Sequence, residues 1–126
     1  MCFIIDPSHP KVKTANTDIQ CFKVLGQAMR PLYVGINFLD CVYEIDKEMP
    51  VVELWIDKFC GEQVINIGYH SYSKADEAFP LARYFNTPDN VYECIIPRGS
   101  KYFYSGRYKE YVSETIIIKA KIPCGQ

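Results

Sequence analysis

Gly68-Tyr-His-Ser-Tyr72, then Ser73-Lys-Ala-Asp-Glu-Ala-Phe-Pro-Leu-Ala-Arg-Tyr-Phe85, then the apolar runs Val91–Ile96 and Tyr111–Lys119, decide the fold. The middle stretch reads as the one convincing helix, over about residues 74–85: Ala75, Ala78, Phe79, Ala82 and Phe85 recur at helical spacing. The Ser73 hydroxyl is placed to cap it, and Asp76 and Glu77 favour the positive end of its dipole. Pro80 removes a hydrogen bond inside it, which predicts a kink or two short pieces. The runs on either side alternate as strands do.

Outward from this centre the chain is all strand and turn. Cys2–Ile5, Ile19–Leu25, Leu32–Phe38, Cys41–Ile45, Val51–Ile56 and Gln63–Tyr69 each read as strands, broken by polar or Pro/Gly-containing connections. Gly68 inside its run predicts a bulge or a close backbone approach. Many strands, one helix and more strands make an α+β fold, mainly antiparallel sheets with one packed helix. A doubly wound fold needs helices between most strands.

The chain has 126 residues and a net charge of −1, which fits one domain, 1–126, and gives no basic excess for holding a nucleic-acid strand. Its six cysteines, at 2, 21, 41, 60, 94 and 124, show neither Cys-x-x-Cys nor a Cys/His cluster, so no metal site is expected and the thiols read as reduced. No window has the length of a membrane span, and the N-terminal residues lack a secretion pattern. These features point to a cytoplasmic protein without membrane contact.

Glu114 is the first candidate site residue. Counted as part of one strand Tyr111–Lys119, it shares the parity of Val112, Ile116 and Ile118, and a carboxylate on an apolar face is costly unless it is used. An ion pair or a wet sheet edge is the ordinary alternative. Glu93, on the face of Val91 and Ile95, is a potential neighbour able to raise one pKa. His70 precedes the helix, where an imidazole can bind an anion or act as a base; the ordinary alternative is a histidine satisfied by nearby backbone. Ile96-Pro-Arg-Gly-Ser-Lys101 can hold an anion through Arg98 and Lys101, or be a turn dictated by Pro97 and Gly99. Tyr72 completes the ligand-binding set of His70, Tyr72, Arg98, Lys101 and Glu114. Tyr102, Tyr104, Tyr108 and Tyr111 form an aromatic cluster suited to a protein interface or a homo-oligomer contact. Cys2 before Phe-Ile-Ile reads as a small apolar strand residue rather than a nucleophile.

Asp18-Ile-Gln-Cys-Phe-Lys-Val-Leu25, Gly68–Tyr72, and Ile96-Pro-Arg-Gly-Ser-Lys-Tyr102 with Tyr111-Val-Ser-Glu114 resemble a group of small bacterial and tailed-phage proteins of unknown function. More loosely, the order of strand end, helix, strand-Pro-x-Gly and late glutamate strand resembles the ADP-ribosyltransferase core. That resemblance implies a role for Gly68–Tyr72 on the nicotinamide side of NAD, with His70 and Glu114 as catalytic residues. Three functions therefore stand as expectations. The first is a non-enzymatic cytosolic binding protein of bacterial or phage origin, holding a small nucleotide-like ligand or a protein partner and needing no cofactor. The others are a divergent ADP-ribosyltransferase using NAD and a phage structural or assembly protein.

Overall fold

The computed structural model describes residues 3–31, 42–85, 87 and 90–123. The expected strand Leu32–Phe38 and Cys2, Cys41 and Cys124 lie outside them. The strands are β1 (Phe3–Ile4), β2 (Lys13–Thr14), β3 (Ile19–Val24), β4 (Ile56–Phe59), β5 (Glu62–Ile65) and β6 (Tyr69–Tyr72), then, after the helix, β7 (Val91–Ile96), β8 (Lys101–Ser105), β9 (Glu110–Ser113) and β10 (Ile117–Lys121). The helix α1 spans Ala75–Tyr84. Seven strands form one sheet in the order β10-β7-β3-β6-β9-β8-β2, and three form a second in the order β1-β5-β4. Every pairing between these strands is antiparallel, so the α+β expectation holds.

The large sheet is covered on both faces because β3 and β7 are apolar at both parities. Cys21 faces Cys94 and Ile19 faces Ile96 on one side; Val24 faces Val91 and Phe22 faces Glu93 on the other. The first side packs under Tyr43, Met49 and Val52, which close over Cys21, Cys94, Tyr69, Ile96 and Ile118. That cover is fastened by polar links: Tyr69 Oη donates to the Pro50 carbonyl at 2.7 Å, and the Thr115 hydroxyl donates to Met49. The second side takes α1, whose Ala78, Phe79 and Ala82 pack on Val24 and Val91. Beside the helix, on Val112 and Phe103, the small sheet lays Phe3, Ile5 and Ile65.

Helix α1 is one continuous piece, not the kinked or divided helix that Pro80 predicts. The bond Pro80 cannot make would run to the Asp76 carbonyl, and both residues are exposed, so the loss falls on the solvent side of the helix rather than in the core. Ser73 does not cap the helix: the N-cap is Lys74, without a side-chain bond, and the Ser73 hydroxyl donates to the Lys109 carbonyl.

Two expected strands are each split. Gln63–Tyr69 leaves the small sheet after Ile65 and enters the large one at Tyr69, and the chain between Ser113 and Ile117 carries it from β9 to β10 at the far edge. Val51–Ile56 is not a strand; the ladder begins at Ile56 and turns at Cys60-Gly61, whose φ values of 51° and 81° make the two-residue hairpin turn that matches strand twist. Gly68 lies at the first crossing, where a Cβ would stand 2.5 Å from Val112 Cγ2 and 2.9 Å from Leu54 Cδ2. This is the close approach expected there. Gly68→Ala should therefore cost about 1–3 kcal/mol by overpacking, read as a lower urea midpoint at unchanged m-value.

Cys21, Cys60 and Cys94 are free thiols, the first and last buried directly opposite one another. Burial pushes the Cys94 thiol up, which keeps it protonated. The melting temperature should be the same with and without reductant; a large drop on reduction would show a disulfide this core does not require.

Candidate functional site

Where α1 and the small sheet meet the large sheet they leave a groove of about 710 Å³. Tyr72 and Glu110, directly opposed across β6 and β9, lie along it; Ile4, Phe59, Cys60, Glu62 and Val64 line it from the small sheet, Glu77 from the helix, and Arg107, Tyr108 and Lys109 from the β8–β9 turn. Glu110 reaches this side because it shares the parity of Val112, whose face the small sheet buries.

The Glu110 carboxyl has no hydrogen-bond donor and no cation against it among the described residues. Burial pushes it up to about 7. The nearby cations are engaged elsewhere: Lys109 Nζ stands 4.0 Å from Glu77 Oε1, and the Arg107 guanidinium lies 5.2 Å from the centre of the Tyr108 ring. A carboxyl near half-ionisation at neutral pH, open to a groove and without a partner, is suited to receive hydrogen-bond donors.

The expected site residues are spread over three places. Tyr72 lies in the groove. His70 is on the same face of β6, opposite Val112, but its Nε2 is fully buried and unpartnered. Burial, reinforced by the Lys23 ammonium and opposed by a bond to the Asn66 backbone, pulls its pKa down to about 3, so the ring is neutral. Lys23 Nζ donates to the His70 carbonyl at 2.6 Å.

Arg98, Lys101 and Glu114 gather at the β7–β8 turn. Arg98 N–H donates to Asp18 Oδ1 at 2.9 Å, and Glu114 Oε2 accepts from Lys101 N–H at 2.8 Å. Glu114 thus has an ordinary structural use, closing the start of β8. The parity argument for it fails because the chain crosses between sheet positions: Val112 packs under the small sheet, whereas Ile116 and Ile118 belong to the core on the opposite face.

Tyr102, Tyr104 and Tyr111 form a half-buried ladder, with Tyr111 centred 5.8 Å from Tyr102 and 5.1 Å from Tyr104, on the face away from the groove. Tyr108 is not part of it and stands at the groove. The expected strand begins at Tyr111 and so leaves Glu110 out. The same alternation, begun one residue earlier, marks it.

No family model, curated protein or solved structure matches the chain. The ADP-ribosyltransferase-like form of the fold therefore has no structural neighbour in its support. Among the described residues no helix is long and apolar enough to cross a membrane, and no group of three or more His, Cys, Asp or Glu is arranged to hold a metal.

Proposed function

We propose that this is a non-enzymatic binding protein whose site is the groove at Glu110, with a small nucleotide-like ligand or a side chain of a protein partner placing hydrogen-bond donors on that carboxyl. The supporting observation is a largely buried carboxyl, without a donor among the described residues, aimed into a groove with aromatic and aliphatic walls. Such a group weakens the folded state and is explained by a ligand that completes it. Against transferase chemistry, one of the two Glu114 carboxylate oxygens is taken by the Lys101 backbone N–H and the ring Nε2 of His70 is closed off.

The test is an NMR titration with nucleoside monophosphates, amines, guanidines and amides. Shifts confined to the amides of Tyr72, Tyr108 and Glu110 are expected for at least one class. A panel that moves none of the three removes the groove as a site.

A second reading, a structural or assembly protein, draws support from the tyrosine ladder, an aromatic surface of the kind found at contacts. It expects solution mass to rise with concentration and to stop rising in Tyr104→Ser; a strictly monomeric native protein would end the self-association form of that reading.

A further inference from the structure

The geometry points to an arginine side chain of a partner peptide as the occupant of the groove, its guanidinium forked onto the Glu110 carboxylate beside the Tyr72 and Tyr108 rings. The inference rests on the groove being the site and goes on to name what enters it.

Three observations select this chemistry. The first is the acceptor: an ionised carboxylate has two oxygens side by side, and the planar fork of a guanidinium is the side-chain donor that engages both at once. The second is charge. With Glu110 ionised, Glu62, Glu77 and Glu110 face the groove against Arg107 and Lys109, so a cation is drawn in while the phosphate of a nucleotide is opposed. Lys109 is further offset by Glu77 at 4.0 Å. The third is the aromatic lining. A guanidinium stacks on tyrosine faces, and the Arg107 guanidinium 5.2 Å from the centre of the Tyr108 ring takes one face of it, so an entering guanidinium has to exchange with Arg107 there or lie against the rest of the aromatic wall.

Binding should be proton-linked. A guanidinium remains charged throughout the accessible pH range, so the titrating group must belong to the protein. The titratable and charged groups that share the groove with Glu110 are Cys60 and Glu62 from the small sheet, Tyr72 from β6, Glu77 from α1, and Arg107, Tyr108 and Lys109 from the β8–β9 turn; His70, farther along β6, is neutral across the same range. The ionised form of Glu110 is the binding form, and it is depleted below about pH 7. Affinity should then rise from pH 6 to pH 8 and level off.

The probes are N-acetyl-arginine amide, its lysine and citrulline counterparts, and guanosine monophosphate, each titrated by NMR at pH 6 and pH 8. The arginine probe should shift the amides of Tyr72, Tyr108 and Glu110 and bind at least about tenfold tighter at pH 8 than the citrulline probe, which keeps the shape without the charge. It should bind several-fold tighter at pH 8 than at pH 6. In Glu110→Gln both the preference and the pH dependence should vanish. Since that variant is expected to be the more stable protein, unfolding does not confound the result.

Equal affinity for arginine and citrulline, or tighter binding of guanosine monophosphate, overturns the arginine assignment and leaves the groove as a site for another ligand. No shift with any of these probes overturns the assignment as well; the groove itself falls only if the wider panel is also silent.

Discussion

Glutamine in place of Glu110 makes the protein more stable at pH 8 by about 2 kcal/mol and changes little at pH 4. The native carboxyl keeps its proton up to about pH 7, whereas the unfolded chain loses it near the ordinary value of 4.5. Between these values the native state binds the extra proton. The stability contributed by Glu110 is thus complete below pH 4.5, declines as pH rises, and is gone above 7. The full shift corresponds to ~3 kcal/mol, and partial hydration at the groove reduces it. Glutamine keeps the shape and carries no charge, so its curve lacks this decline. Urea unfolding at pH 4, 6 and 8 measures the difference. A gap independent of pH, or a variant less stable at pH 8, would show that the carboxyl is already satisfied.

His70 acts in the opposite direction. Its ring is neutral down to about pH 3 in the native protein, while the unfolded chain takes up a proton near 6.5. The stability it contributes is present above 6.5 and lost as pH falls toward 3, a loss on the order of 4 kcal/mol. Between pH 6.5 and 4.5 this loss cancels the gain from Glu110, so the two groups together give a level stretch. Below 4.5 only the histidine effect remains of the two, and stability drops. His70→Leu should hold about 3 kcal/mol more stability than the native protein at pH 3.5, because both proteins share every other acid-labile carboxylate. Unfolding curves of the two proteins that stay parallel below pH 6.5 would mean that the buried nitrogen does find a proton partner.

Most of the element types were legible in the sequence, and the misread runs 51–56, 63–69 and 111–119 share one cause. Val91–Ile96 is a strand over the expected residues, and the helix differs from its expected span by one residue at each end. Each face of those segments keeps the same neighbours along its length, so alternation or helical spacing reports a constant environment. Val51–Ile56 alternates too, but as an extended chain between two cores: Val52 packs into one and Leu54 into the other, with Trp55 71% exposed between Leu54 and β4. The runs 63–69 and 111–119 also keep their apolar character across a change of sheet position. Tyr69 pairs with Ser113, so Gly68 and Glu114 flank the same end of the β6–β9 ladder, where the chain departs in both strands. Gly68 carried a readable signal because crowding demands a missing side chain. Glu114 carried a misleading one because parity has no meaning across a crossing. Glu110 depended on where one strand starts, which is the least certain feature of any pattern.

The outer rim of the small sheet bears on how the protein behaves when crowded. Among the described residues β4 is an end strand, and all four of its residues, Ile56-Asp57-Lys58-Phe59, are exposed, a strand edge of the kind that can template a second copy. Antiparallel pairing of a strand with its own copy requires a two-fold axis perpendicular to the sheet, and side-chain parity then forces that axis through a residue rather than between two. The two registers that align three of the four residues place the axis on Asp57 or on Lys58. One sets carboxylate against carboxylate, and the other sets ammonium against ammonium, so neither is favoured. The adjacent opposite charges in the middle of β4 thus disfavour edge-to-edge stacking in either of these registers, and removing one of them would open that edge to self-pairing.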